Sequence, residues 1–513
     1  MEKKKWIRVV FRRRLLISAL VIFQILLLLF LAASSSILFK FVNMGLYAVS
    51  IYVCLYILNR QEKSAYKITW IFLILLFPIF GGLVYIVFKS QTHPRKLRKK
   101  IKRAERIYKP LFMLPGNKLP GLSEQHRDFA PQAYYLQEYA GYPVYTNTQT
   151  RFFNSGESFF EQALIELEKA EKYIFLEFFI LRLGVMLDPI MAILEKKAAQ
   201  GVDVRIIYDD LGCFMSLPPN YSDELKSKKI KCAIFNPFKP VLSSLQNNRD
   251  HRKIISIDGK TAFTGGMNLA DEYINAKEKF GHWKDAAIML NGEAAWSMTL
   301  IFLQMWNTLT QDEEDIPESF YPWKDAKCET ENDGYVQPYA DSPIDRENIG
   351  EHVYIKIINN AKEYLYINTP YLVVDDNLLS ALTLAAKSGV DVRIITPHRW
   401  DKWIVAVVSR SYYRQLILSG IKIYEYTQGF NHSKTFVSDD RTATVGTTNL
   451  DFRSLYLHFE CGVQMYESQA VMEVKEDFLS TLKLCHEITL RDCARNAAQR
   501  ILQDILRLFA PLM

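Results

Sequence analysis

Over its first ninety residues the chain alternates long apolar runs with short basic breaks, a pattern that neither an amphipathic helix nor a half-buried strand produces. Residues 15–33 are almost wholly apolar and, at about 1.5 Å of rise per residue, long enough to cross the hydrocarbon of a bilayer. A second run, 44–58, is shorter and extends back to Phe41; a third, 68–88, is interrupted by Pro78 and by Gly81 and Gly82. Residues 1–90 are therefore expected to be a membrane anchor with two or three hydrophobic helices. The first is read as retained, because no small-residue cleavage site separates it from the next apolar stretch.

Past a basic linker at 91–125 the pattern changes to short β-branched or aromatic runs alternating with amphipathic stretches, and it does so twice. A strand at 172–176, a helix at 187–200 and a strand at 202–207 are matched by a strand at 363–367, a helix at 377–387 and a strand at 390–395. Gly201 and Gly389 stand where each helix needs a left-handed terminator. Strand–helix alternation of this kind predicts an α/β fold with a mixed sheet flanked by helices in each half. The first half is placed at 126–325 and the second at 326–513, joined through the acidic, proline-containing segment 311–334. Residues 501–509 form an amphipathic helix that either lies against the membrane or docks on the core, docking being favoured. Trp400, Trp403, Tyr412 and Tyr413, in a helix-like stretch, are candidates to line an acyl-chain entry.

Charge placement changes the choice of partner. Residues 1–109 carry 21 Lys and Arg against Glu2, Glu62 and Glu105, a net of +18, and the total of +7 leaves the other 404 residues at −11. A polynucleotide groove would spread its basic residues along the folded domain; here they cluster beside apolar segments, at 3–14 and 89–109. Such clusters attract anionic headgroups at about 1 kcal/mol per basic residue. No nucleic acid is expected, and an anionic phospholipid is. The positive-inside rule puts both clusters on the cytoplasmic side, which needs an even number of crossings. Three apolar runs give an odd number, so either the pair before Asn59 does not cross twice or one cluster is translocated. The expectation is a multi-pass protein of the cell membrane with a cytoplasmic catalytic part. The seven cysteines are odd in number and show no C-x-x-C pair, which predicts free thiols.

The candidate chemistry lies in one constellation that occurs twice. His251, Lys253 and Asp258 form H-x-K-x4-D, and so do His432, Lys434 and Asp439; each leads to a turn ending in Asn268 or Asn449. On a strand, His and Lys at i and i+2 project to one face and reach one site. Asp258 and Asp439 lie an odd number of positions away in turn-forming sequence, which makes them scaffold residues. A neutral imidazole attacks phosphorus near neutral pH, while ammonium and amide donors suit phosphoryl oxygens that gain charge in the transition state. Two histidines allow one to attack in line while the other protonates the leaving oxygen. No metal-ligand spacing is present.

At this point the chain resembles the phospholipase D superfamily, and within it the bacterial cardiolipin synthases. The resemblance rests on the segments 248–253, 281–285, 369–371, 449–455 and 507–512, and runs from the apolar segments to Met513. Thr447 departs from it, standing where Ser is usual. The resemblance implies two phospholipase D-like halves related by a pseudo-twofold axis and pooling one site, so that no second chain is obligatory. It implies that each catalytic His gives its other ring proton to a carboxylate downstream, with Asp285 and Glu460 at the matching places. It further implies phosphatidyl transfer between two phosphatidylglycerol molecules, giving cardiolipin and glycerol without metal or nucleotide. In that scheme His251 is the nucleophile, His432 the acid and base, and Lys253, Lys434, Asn268 and Asn449 hold the phosphate. A hydrolytic phospholipase D, a phosphatidylserine synthase and a non-catalytic membrane scaffold are the alternatives.

Overall fold

The computed structural model describes residues 37–77, 81–89, 93–237, 244–311, 316–324, 327–345 and 347–512. Two compact units divide it, one of residues 1–94, 238–247 and 511–513 and one of residues 95–237 and 248–510.

In the first unit the expected span at 15–33 lies outside the described residues. The second apolar run is the helix Ile37–Leu58. The third is split into Ser64–Leu76 and Gly81–Lys89. Phe77 leaves the helical region at φ −125° and ψ 66°, as the ring of a following proline requires of the residue before it. Among the described residues no helix is long and apolar enough to cross a membrane, so the expected two or three spans are not established by this unit. Its surface is nonetheless inverted relative to a water-soluble hairpin. Ile51, Tyr52 and Leu75 are exposed, while Ser50 and Thr69 are buried. Gly81 and Gly82 let the helices approach closely: a Cβ on Gly81 would stand 2.6 Å from Ile74 Cα and one on Gly82 2.9 Å from Ser50 Cα.

The second unit carries two sheets with the same plan. In the first, the order is Thr148–Phe153, Ala287–Gly292, Thr261–Gly265, Lys253–Ile257, Tyr173–Phe178, Asp203–Asp209, Lys231–Phe235. In the second it is Tyr335–Asp341, His458–Tyr466, Thr442–Gly446, Thr435–Ser438, Tyr364–Asn368, Asp391–Pro397, Lys422–Tyr426, with Cys485–Ile488 added at the edge. In each, the first five strands run antiparallel to their neighbours and the next pairings are parallel, so both sheets are mixed as expected. The helices Leu187–Ala199 and Asp376–Lys387 end before Gly201 and Gly389, which adopt φ of +93° and +99°. The alternation along the strands separates two cores. Ile174, Leu176 and Ile206 pack outward with Ile190 and Leu194 of the covering helix. Phe175, Ile207 and Ile254 pack inward into a core that also contains Tyr366, Val437 and Val463 of the second half. The helix Ala295–Thr310 is apolar on nearly all sides and lies in that shared core, with Trp296, Leu300 and Phe302 buried. All seven cysteines are free.

Asp258 and Asp439 close equivalent turns in left-handed conformation, at φ +51° and +56°. The Asp258 carboxylate accepts the backbone N–H groups of Glu171, Lys172 and Tyr173 at 2.7–2.8 Å. Asp439 accepts those of Lys362, Glu363 and Tyr364 at 2.8–3.0 Å. Each pins the start of the strand beside its motif strand. Replacing Asp258 with Ala removes three charge-assisted acceptors and leaves a left-handed residue without its side chain. It should destabilise the protein by about 3 kcal/mol, with Asp258→Asn intermediate, read as a fall in the thermal unfolding midpoint. An unchanged midpoint would contradict the scaffold role.

Candidate active site

Each motif histidine arrives on a short strand that leaves its own sheet and pairs with the other half. Arg249–Asp250 lies parallel to His458–Phe459, and His251 N donates to Phe459 O at 2.9 Å. Gly429–Asn431 lies parallel to His282–Lys284, and His432 N donates to Lys284 O at 2.7 Å. Each pairing stops one residue short of a carboxylate. His251 Nδ1 therefore meets Glu460, 3.0 Å from both oxygens, and His432 Nδ1 meets Asp285 Oδ2 at 2.7 Å. The carboxylates are exchanged between halves: the partner of His432 lies upstream, which corrects the expectation of a carboxylate downstream of each histidine. Strand pairing between distant segments decides this, and no local spacing encodes it. With Nδ1–H committed to a carboxylate, the Nε2 lone pair of a neutral ring is free.

The supports differ between halves. Thr447 donates its hydroxyl to Glu460 Oε2, so the Thr in place of Ser retains a specific bond. At the corresponding position in the first half there is no room for a side chain, since a Cβ on Gly266 would fall 1.9 Å from Asp285 Oδ1. Asp285 instead accepts from Ala286 N at 2.9 Å and Trp283 Nε1 at 3.4 Å. Lys253 and Lys434 each donate to the carbonyl of the histidine two residues before. Asn268 is held by Ile180 N at 3.0 Å and by the Tyr273 hydroxyl at 2.6 Å, whereas Asn449 Oδ1 is buried without a partner. The rings of Phe179 and Tyr273 wall His251 and His432 at 5.2 and 5.8 Å.

His458 belongs to neither motif, yet its ring lies 5.5 Å from that of His251 and neither of its nitrogens has a hydrogen-bond partner. Its position two residues before Glu460 on a strand was the available signal. The ligand atoms of His251, His458 and Glu460 all lie within 4.8 Å of one another, a spacing that would admit a metal ion. Tyr412 and Tyr413, read as an acyl-chain lining, are buried, and Tyr413 bonds Thr396 and Glu425; Trp400 and Trp403 are exposed.

Residues 164–306 and 354–482 match the family described as "Cardiolipin synthase, PLD-like domain". The chain belongs to this family. Residues 46–89 match a second, "Phospholipase_D-nuclease N-terminal". A cardiolipin synthase of Geobacillus kaustophilus is 34% identical over 481 residues, covering 92% of this chain and 94% of that one. An uncharacterized protein of Streptococcus mutans is 44% identical over 463 residues, covering 90% and 99%. A phosphatidylserine synthase of Haemophilus influenzae shares the fold at a TM-score of 0.54 and 17% identity, over 71% of this chain and 93% of that one.

In the cardiolipin synthase site burial weighs against the charged form of every basic group. Burial, then Lys253 and Lys434, pushes His251 well below the ordinary imidazole value. Burial and Lys434 push His432 down to about 4, against the pull of Asp285. Burial works to raise Asp285, but His432 and Lys434 outweigh it and hold the carboxyl low. Burial lowers Lys253 to about 8 and Lys434 to about 7. An anionic phosphodiester would favour the protonated forms of His251, His432, Lys253 and Lys434. Because His251 stays neutral to well below pH 6.5, kcat/KM should show no acid limb near that pH. It should fall with rising pH above about 4, because the free enzyme must take up the His432 proton, and more steeply through about 7 to 8, where it also loses its ammonium groups. The corresponding limb in kcat should lie roughly one unit higher, because the bound anion holds those protons. Superimposable alkaline limbs in kcat and kcat/KM would contradict this coupling.

Proposed function

We propose that the chain makes cardiolipin by moving a phosphatidyl group from one phosphatidylglycerol to another, with release of glycerol. The observation that carries this reading is the pair of exchanged His–carboxylate couples, each beside a buried lysine, in a chain of the cardiolipin synthase family. In the first step His251 Nε2 attacks phosphorus and the P–O bond to the headgroup glycerol breaks. His432 gives its Nε2 proton to that oxygen, and glycerol leaves. In the second, a hydroxyl of another phosphatidylglycerol gives its proton to His432 and attacks phosphorus, the P–N bond breaks, and His251 returns to its neutral form. Lys253, Lys434 and the Asn268 and Asn449 amides stabilise the non-bridging oxygens. Asp258 and Asp439 act through the backbone and touch no reacting atom.

Proton loading of His432 accompanies substrate binding in this scheme. The empty site favours its neutral form, and the phosphodiester charge reverses that preference. Asp285 then holds the imidazolium, as Glu460 holds the His251 tautomer.

Purified protein given phosphatidylglycerol alone should yield cardiolipin and glycerol in equal amounts, measured by lipid mass spectrometry, and His432→Ala should yield neither. His251→Ala should lose covalent lipid labelling of the protein; a persisting label would reassign the nucleophile. Phosphatidic acid as the main product would make water the acceptor and the protein a hydrolase.

The exposed apolar surface of the N-terminal unit, its buried Ser50 and Thr69, and the two flanking basic clusters support a multi-pass cell-membrane anchor with the catalytic part in the cytoplasm. Cysteines introduced at Ser90 and Lys169 should resist a membrane-impermeant maleimide in intact cells, above the background of native thiols, and react after permeabilisation. Reaction in intact cells would put the catalytic part on the outer face.

A further inference from the structure

The helix Ala497–Leu508 is turned the wrong way round for a helix docked on a core. It starts at a capping box, with Asn496 Oδ1 accepting from Gln499 N at 2.9 Å and Gln499 Oε1 accepting from Asn496 N at 3.2 Å. The start therefore lies upstream of the 501–509 expected from apolar spacing. None of its residues is buried. Its apolar stripe faces outward: Ile501, Leu502 and Ile505 are 60%, 45% and 51% exposed. Its half-buried side, against the neighbouring helix Trp403–Leu418, mixes Gln503 and Arg507 with Leu506 and Leu508. The Arg507 guanidinium sits 4.1 Å from the Tyr412 ring centroid, and Arg507 Nη2 donates to Gln415 Oε1 at 3.5 Å.

Water is a poor solvent for such a stripe, and three further observations name a better one. The supporting helix begins with Trp403 and Ile404, and Trp400 precedes it; all three are exposed. Indole rings favour the boundary between headgroups and acyl chains. Arg500, next to Ile501 in the helix, is exposed, which suits anionic headgroups. Lys402, between the two tryptophans in sequence, sits 5.5 Å over the Tyr371 ring and shares a cleft with Trp400 and Phe430, whose ring lies 5.7 Å from that of His432, so this face adjoins the site.

We propose that the helix Ala497–Leu508, together with Trp400, Trp403 and Ile404, is an interfacial surface that embeds the catalytic unit in an anionic bilayer beside the mouth of the site. Ile501, Leu502 and Ile505 lie among the upper acyl carbons, Arg500 meets lipid phosphates, and the Arg507–Tyr412 contact fixes the helix to the protein. The inference rests on the reading that the substrate is a bilayer lipid, and it assigns to the catalytic unit its own contact with the bilayer.

The test places a nitroxide, through a noncanonical residue that leaves the native cysteines unmodified, at Ile501, Ile505 or Ile404 of the full chain in phosphatidylglycerol nanodiscs. Leu384, 65% exposed on another helix, is the aqueous reference. High oxygen and low nickel-chelate collision rates at the three positions are expected. Rates like those at Leu384 would overturn the proposal. So would shielding from both reagents, which would mean that a second copy or another segment covers the stripe. In a parallel assay, Ile501→Asp with Ile505→Asp should lower turnover of long-chain phosphatidylglycerol in bilayers about tenfold relative to a monomeric short-chain analogue. An unchanged ratio counts against the surface. Absence of cardiolipin from the unsubstituted protein with both lipids would defeat the functional reading, while the collision rates would still decide the surface.

Discussion

The arrangement depends on two short stretches of parallel strand pairing, Arg249–Asp250 on His458–Phe459 and Gly429–Asn431 on His282–Lys284. Each is only two or three residues long and contributes little as a sheet. What it does is carry a histidine out of one half and set it against a carboxylate of the other. Neither half supplies both members of the couple at His251 or of that at His432, so each couple exists only where the two halves are joined. The shared core of Phe175, Ile254, Tyr366, Val437 and the buried helix Ala295–Thr310 supplies the apolar burial that holds the crossing in register.

Burial makes the crossing chemically useful and also costly. Asp209 accepts from Asp250 N at 3.1 Å and pairs with Arg249 at 3.2 Å, while also capping the turn at Leu211 and Gly212. Beside it, Arg252 lies 3.5 Å from Glu177, and burial raises both Glu177 and its neighbour Asp250. Burial thus works against the ionised form of both carboxyls beside Arg252, whose guanidinium charge opposes it. The site above them keeps two lysines whose ammonium form is weakened for the same reason. In the proposed reaction a phosphodiester would meet donors already oriented, and its charge would favour their protonated forms.

The orientation of the C-terminal helix bears on how a lipid reaches that pocket. A phospholipid must bring its phosphate to buried histidines without taking its acyl chains through water. A catalytic unit with an outward apolar stripe and tryptophans beside the site can meet the bilayer surface directly.

Much of the fold was legible in the chain because its signals are local. The strand–helix–strand repeat, the left-handed Gly201 and Gly389 and the turn-closing Asp258 and Asp439 each follow from a few adjacent residues and were placed correctly by them. The i, i+2 spacing keeps His251 near Lys253 and His432 near Lys434, but not on one strand face as expected: both histidines and Lys434 stand in the links between two short strands. Three things were not local. Carboxylate exchange depends on which distant backbones pair. His458 acquires its place from the ring of a histidine two hundred residues away, and the outward face of Ile501 and Ile505 depends on what the helix rests upon. By itself the sequence determined the elements, the reactive residue types and their repetition, because these are set by side-chain periodicity and backbone sterics. Only the tertiary structure decided which carboxylate serves which histidine and which apolar face is left uncovered, because both are settled by contacts between segments whose separation along the chain carries no geometric information.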